Sequence, residues 1–188
     1  LGPDGFELTF DYDPAIVAIL SVLAWGEYGE WQARRRHELR VEAFDESKVS
    51  PVVLPADRIV ENESLAGRWV KTVGRGCRSE LVFEAPAEGA DRSYRVEFAT
   101  RTCTSHQRDQ RTAEYSDGQV TLDRPVADSI GPVYRRLHSA RVGSKRILVP
   151  ETQSDTAADL DAAIEKAEKH GEWRNLEALA YVRQDGDS

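Results

Sequence analysis

The order of hydrophobic and polar residues divides the chain into three regions. Residues 15–25 (AIVAILSVLAW) form one apolar run. From about residue 64 to 150, apolar and polar residues alternate in short segments, a pattern typical of strands with one buried face. After residue 154 the apolar positions recur at helical spacing. The pattern predicts a mainly β protein with flanking helices.

Turn signals between residues 64 and 150 separate seven or eight short strands. Asp117-Gly118 is a strong hairpin turn signal, and Gly143-Ser144-Lys145 is a second tight-turn candidate. Short strands at this spacing indicate a small antiparallel β barrel or sandwich. The hydrophilic residues 104–111 are interpreted as a polar loop. The predicted strands are 68–73, 79–84, 93–99, 112–115, 120–122, 133–137, 140–142 and 146–149.

The remaining segments set the predicted boundaries. An N-terminal segment, 1–44, ends in residues whose alternation fits a strand or a helix tail. Pro51 and Pro55 prevent a long element in 45–63, which is predicted to be a linker before the β domain 64–150. The C-terminal segment 151–188 begins with a helix that ends near Gly171, and residues 173–182 form a second short helical segment. The apolar face of the first helix consists of Ala157, Leu160, Ile164 and Ala167.

The apolar run near the start fits three interpretations. Asp13-Pro14 is a good helix opening, and eleven helical residues rise about 16 Å, roughly half a bilayer core. Extending the span to Trp31 gives it more length but includes Glu27 and Glu30, which are costly in lipid unless a partner protein covers them. The helix is therefore a membrane-associated single span, a core helix of a soluble protein, or an uncleaved remnant of an export signal.

Aromatic and then basic residues follow this run. An aromatic belt succeeded by a basic cluster is typical of a helix that leaves a membrane, and the positive-inside rule would place the β domain in the cytoplasm. The candidate membrane-interface residues are Trp25, Tyr28, Trp31, Arg34, Arg35 and Arg36.

Composition and cysteine content limit the partners. The net charge of −8 argues against nucleic-acid binding, which needs an excess of Lys and Arg. Cys77 and Cys103 fit no metal motif, so they form either one disulfide or two buried thiols. If the apolar residues around them pair across one regular hairpin, the alternation of side chains along each strand places the two cysteines on opposite faces of the sheet. A disulfide would indicate an exported domain, in conflict with the positive-inside rule.

Candidate chemistry is sparse. The histidines lack metal-ligand spacing, and Cys103 with His106 is the only local Cys/His pair, most simply part of a polar loop. No nucleophile elbow, P-loop or zincin motif is present in the sequence. We therefore predict no catalytic residue, metal or cofactor. Scattered arginines make the second half of the β domain basic, which suits contact with anionic lipid or an acidic partner, or an ordinary solvated surface. These residues are Arg108, Arg111, Arg124, Arg135, Arg136, Arg141 and Arg146.

The sequence Gly67-Arg68-Trp69, which opens the first predicted strand, resembles the G-x-W motif of lipocalins and their bacterial lipocalin-like relatives. The resemblance implies that Trp69 plugs one end of a barrel and packs near an arginine from a late strand, for which Arg141 or Arg146 is suitable. It also implies a barrel that carries a small apolar ligand.

Together these features predict a non-enzymatic, membrane-associated accessory or structural subunit. The half-length apolar run with Glu27 and Glu30 nearby is easier to bury against partner helices than in lipid, so the expected partner is a membrane protein complex at a lipid surface. The alternative is a lipocalin-like carrier of a small apolar ligand.

Overall fold

The computed structural model describes residues 14–73, 76–86, 92–101, 106–128, 131–153 and 157–184, with the side chains of the first helix described from Gly26 onward. Short 3-10 turns lie between the first helix and the first strand, at Glu46–Lys48 and Ala56–Arg58. The main elements are α1 Pro14–Glu42, β1 Gly67–Val73, β2 Cys77–Phe83, β3 Ser93–Arg101, β4 His106–Ser116, β5 Gln119–Ala127, β6 Val133–Val142, β7 Lys145–Pro150, α2 Ala157–His170, α3 Arg174–Leu179 and β8 Tyr181–Gln184.

Eight antiparallel strands close into a barrel. Each strand pairs with the next along the chain, and β8 pairs with both β7 and β1. Closure satisfies the backbone groups that an open sheet would leave at its edges. The prediction of a mainly β protein with a small antiparallel barrel is therefore confirmed.

The strand register brings the alternating apolar residues to one inner face. Leu81 lies opposite Phe98, and Phe83 lies opposite Val96. Side chains alternate between the two faces of a strand, so these pairings direct all four residues inward. The interior cluster consists of Leu65, Trp69, Leu81, Phe83, Tyr94, Val96, Phe98, Ala113, Tyr115, Val120, Leu122, Val126, Tyr134, Leu137, Leu148 and Tyr181.

A second apolar cluster lies on the outside of the barrel. Helix α2 packs Leu160 and Ile164 into it, and β7 and β8 contribute Ile147 and Val182. The apolar face predicted for this helix is buried except at Ala157, which is exposed. The two helices thus cover one side of the sheet, and α3 leads the chain directly into the closing strand.

Three sequence-based element boundaries are wrong. Residues 106–111 belong to β4, because this stretch pairs along its whole length with β3 despite its polar composition. The strands predicted at 133–137 and 140–142 are one continuous strand, β6. The helical segment predicted at 173–182 ends at Leu179, and β8 follows, since Tyr181 and Val182 have pairing partners in neighbouring strands.

The chain segment before β1 crosses one end of the barrel, here called the Trp69 end. Ile59 forms an isolated bridge with Ala140, and the Val60 amide donates to the carbonyl of Ser139 over 3.0 Å. The hydroxyl of Tyr115 donates to the Val60 carbonyl. The region 45–63 therefore lies against the barrel in this part, and Leu65 enters the interior cluster.

Gly118 in the β4–β5 turn permits this crossing. Its φ is 75°, and a Cβ at this position would lie 2.3 Å from Cγ2 of Ile59.

We expect Gly118→Ala to lower the free energy of unfolding by about 1–3 kcal/mol more than Gly143→Ala, because the added Cβ overpacks its surroundings only at position 118. Gly143 has a φ of 54° but nothing within 4 Å of the added carbon, so it is a matched control for backbone strain. Urea unfolding measures both, and equal losses would contradict the close approach.

Candidate functional site

Trp69 closes the Trp69 end from inside. Its indole is fully buried, and Nε1 donates to the carbonyl of Leu65 over 2.9 Å. The guanidinium groups of Arg146 and Arg183 lie 5.3 and 5.7 Å from the centre of the indole ring. Both distances allow cation–π attraction. Gly67, with a φ of 124°, lies two residues earlier, where Arg183 is the nearest side chain.

Arg146 links this plug to the crossing segment. One of its terminal nitrogens donates to the Ser64 carbonyl over 2.7 Å, and the other donates to Oγ of Ser139 over 3.2 Å. Burial lowers the pKa of Arg146 from its ordinary value, and the nearby carboxylate of Glu63 opposes the shift. Of the two arginines named from sequence, Arg146 therefore lies over Trp69, whereas Arg141 is exposed and pairs with Glu63.

The opposite end of the interior, here called the Asp128 end, holds a buried polar cluster that sequence reasoning missed. Nζ of Lys71 lies 2.7 Å from Oδ2 of Asp128, and both side chains are at most 3% exposed. The hydroxyl of Tyr181 donates to Oδ1 of Asp128 over 2.7 Å. Tyr134 lies 3.4 Å from the same oxygen, and its hydroxyl also contacts that of Tyr181.

The electrostatics of this cluster favour neutral tyrosines beside an ion pair. Burial raises the pKa of Tyr134 and of Tyr181 well above 10.0, and the negative charge of Asp128 raises both further. Every side-chain oxygen in the cluster has a partner within it, as is usual for buried polar groups that stabilise a protein interior. It joins β1, β6, β8 and the end of β5 across the interior.

A parity signal in the sequence could have identified Lys71. It lies two residues after Trp69 in one strand, so the two side chains must share a face. A lysine on the inner face of a barrel needs a buried acidic partner. Nothing local could have identified that partner, since Asp128 lies in a distant turn.

Helix α1 is fastened to the backbone beside this cluster. The guanidinium of Arg40 donates to the carbonyls of Asp128, over 3.0 Å, and of Gly131. These contacts fix the last turns of α1 against the β5–β6 loop. By contrast, residues 26–31 of α1 are all exposed.

The predicted membrane-interface residues lie along this exposed part of α1. Tyr28 and Trp31 are 56% and 60% exposed, and their rings stack with centres 6.0 Å apart. Arg34, Arg35 and Arg36 follow as exposed side chains; Arg35 pairs with Glu38 over 3.3 Å. The side chain of Trp25 lies outside the described residues. Within the part of the chain that the structure describes, no helix has the length and apolar content that crossing a bilayer requires.

The structure describes only one of the two cysteines. Cys77 begins β2 as a half-buried free thiol, whereas Cys103 falls outside the described residues. The hairpin pairing assumed for their parity is present, because Leu81 and Phe83 lie opposite Phe98 and Val96. Among the residues with described positions, no group of three His, Cys, Asp or Glu side chains is placed to hold a metal.

Most of the seven arginines that make the second half of the β domain basic lie close to acidic side chains. Arg111 and Arg146 are buried, and the others reach carboxylates on the surface. A solvated or paired face therefore describes most of this set better than an open cationic surface. The surface pairs are Arg108–Glu97, Arg124–Asp109, Arg135–Glu46, Arg136–Glu46 and Arg141–Glu63.

Comparisons of the chain with protein-family models, with curated proteins and with solved structures find no match.

The buried ion pair gives a test by double-mutant cycle. We expect Lys71→Met and Asp128→Asn each to lower the free energy of unfolding by about 3–5 kcal/mol, because each leaves its partner buried without an opposite charge. The double variant should lose less than the sum of the two, by about 0.5–3 kcal/mol. Denaturant unfolding of the three variants measures this coupling, and strictly additive losses would show that the two groups do not interact.

The tyrosines predict a loss of stability at alkaline pH. Because the folded pKa values exceed 10.0, the unfolded chain releases protons above pH 10 that the folded chain retains. Stability should be complete below pH 10 and then fall by about 1.4 kcal/mol per pH unit for each tyrosine. Tyr181→Phe should reduce the slope by one tyrosine's share, whereas Tyr28→Phe at an exposed position should not. Urea unfolding between pH 9 and 11 decides, and an unchanged slope in Tyr181→Phe would refute the assignment.

Proposed function

We propose that this protein is a non-enzymatic accessory subunit that docks onto a membrane protein complex through α1, with the barrel as its rigid body. The observation that carries the proposal is the exposed, stacked pair Tyr28 and Trp31, which continues the apolar run 15–25 on one helix. The other end of that helix is fixed to the barrel by Arg40.

Exposed aromatic rings at this position suit an interface. Large aromatic side chains are enriched at protein interfaces, where they bury much area at a low cost in side-chain entropy. Tyr and Trp are also the residues that occupy membrane–water boundaries. The three arginines that follow would then face lipid headgroups or acidic groups of the partner.

The Trp69 end supports a lipocalin-like topology as the finer description of the fold. The barrel has eight antiparallel strands in chain order, and Trp69 opens β1 with Arg146 over its ring. These features support the resemblance to lipocalins that rests on Gly67-Arg68-Trp69.

The barrel interior gives less support to a carrier of small apolar ligands. Side chains as large as Trp69, Phe83, Tyr134 and Tyr181 are fully buried there and fill the interior from both ends. The ion pair of Lys71 with Asp128 would also face an apolar ligand unfavourably. We therefore place the binding role on the outside of the molecule, along α1.

The test is fractionation of the native host with variants of the exposed pair. Carbonate-washed membranes are solubilised in mild detergent and resolved on a native gel. We expect the wild-type protein in a large complex and Tyr28→Ala/Trp31→Ala as a monomer, because the double variant removes both rings and leaves the barrel intact. Val53→Ala is the matched control, since Val53 is an exposed apolar residue outside α1.

Two outcomes would overturn the proposal. A wild-type protein that is washed off and monomeric does not dock at a membrane. A double variant that stays in the complex shows that α1 docks through other residues or does not dock at all. In either case an extractable ligand in the purified barrel would favour the carrier.

A further inference from the structure

A cleft of about 420 Å³ lies where α1 meets the start of β4. The helix contributes Arg34, His37 and Glu38 to its walls, and β4 contributes His106, Arg108 and Asp109. His106 and Arg108 also line a neighbouring cavity of about 280 Å³ on the outer face of β1–β4. Two separate elements thus bring four basic side chains to one concave site.

The acids in the cleft are already neutralised by other residues. Glu38 pairs with Arg35 over 3.3 Å. Asp109 pairs with Arg111 and lies 3.7 Å from Arg124. Both carboxylates therefore have ion-pair partners other than the four basic side chains that line the cleft.

The bases, by contrast, are largely unpaired. Within the described part of the chain, Arg34 and His106 have no hydrogen-bond or ion-pair partner for their side chains. Arg108 reaches Glu97 only at 3.6 Å, and its side chain is 66% exposed. An exposed pair at that distance contributes little and leaves the guanidinium free to bind elsewhere. The cleft therefore carries an excess of positive charge.

The pKa of His37 depends on its burial and on the charged groups around it. Burial lowers the pKa of His37, and the charge of Arg40 lowers it further. The charged groups that act on it are Arg40 and Glu38 from its own helix and Asp109 and Arg111 from β4; the two arginines lower its pKa and the two carboxylates raise it. A bound anion would stabilise the imidazolium and raise this pKa.

We propose that the cleft between α1 and β4 binds a phosphate group, either free phosphate or the headgroup of an anionic lipid. Two guanidinium groups and two imidazoles can donate to several phosphate oxygens at once, a geometry for which arginine is particularly suited. The cleft is large enough for one such group. The proposal rests on the cleft residues and stands whether or not α1 docks onto a complex.

The first experiment titrates the protein with inorganic phosphate against chloride at equal ionic strength and follows the His37 and His106 ring protons by NMR. Phosphate should raise the pKa of His37 in the wild-type protein. Arg34→Gln and Arg108→Gln should each weaken phosphate binding about tenfold, as expected for the loss of a charged hydrogen bond. Arg174→Gln removes a positive charge from an exposed position of α3, outside the set of residues that line the cleft, and should leave binding unchanged.

The second experiment distinguishes the two sources of phosphate. Vesicles of phosphatidylcholine with phosphatidic acid are sedimented with the wild type and the same three variants. If the ligand is a lipid headgroup, Arg34→Gln and Arg108→Gln reduce vesicle binding about tenfold and free phosphate competes. If it is free phosphate, the NMR shifts occur while vesicle binding is the same in all four proteins.

Other results would overturn the proposal. Unchanged histidine shifts in phosphate would show that the cleft does not bind it. An equal loss in Arg174→Gln would show that net charge, not the cleft, attracts the anion. Amide signals from residues outside the cleft confirm that each variant is folded. A loss of phosphate binding in Arg34→Gln can then be compared directly with the loss in Arg108→Gln. None of these readouts depends on the large complex that tests docking.

Discussion

The ion pair between Lys71 and Asp128 is the interaction on which the rest of the structure depends. Removing two charges from water costs several kcal/mol each, and their attraction offsets this only where further hydrogen bonds complete the site. Tyr134 and Tyr181 supply those bonds. The consequence is conformational: β8 has only four residues, and Tyr181 joins it to a carboxylate that belongs to the opposite part of the barrel.

The same carboxylate determines where α1 lies. The loop that begins at Asp128 presents its carbonyls to Arg40, so the ion pair inside and the helix outside share one piece of backbone. The contacts of Arg40 hold the last turns of α1 at this backbone, while Tyr28 and Trp31 are exposed farther along a helix about 43 Å long. The cleft with Arg34 and Arg108 arises from this placement, because it exists only where α1 meets β4. The ion pair inside the barrel and the position of α1 on its surface are therefore linked through the few contacts that Asp128 makes.

The alternation of apolar and polar residues predicts those parts of the fold that depend on residues close together in the chain. Alternating residues around Trp69, Leu81 and Tyr94 mark strands because each has one buried face. The pattern does not predict the closing strand β8, since four residues after a helix carry too little periodicity. It predicts a loop in place of the polar half of β4 because the outward residues there and the buried Arg111 are all hydrophilic.

The contacts of the candidate site are harder to predict from the sequence than the strands, for a physical reason. Lys71 and Asp128 meet because the barrel closes, and Arg40 meets the Asp128 carbonyl because α1 packs against the barrel; no spacing rule joins residues so far apart. The aromatic and basic residues of α1 were found because they lie together on one helix. In the proposed docking role, the groups that they contact belong to a partner outside this chain.

The most direct measurement of the docking claim is photo-crosslinking in native membranes from a benzophenone amino acid at position 31, with position 53 as the exposed control. We predict one discrete, stoichiometric adduct from position 31 and none from position 53. Equal labelling from both positions, or none from position 31, would contradict the claim that α1 is the docking element.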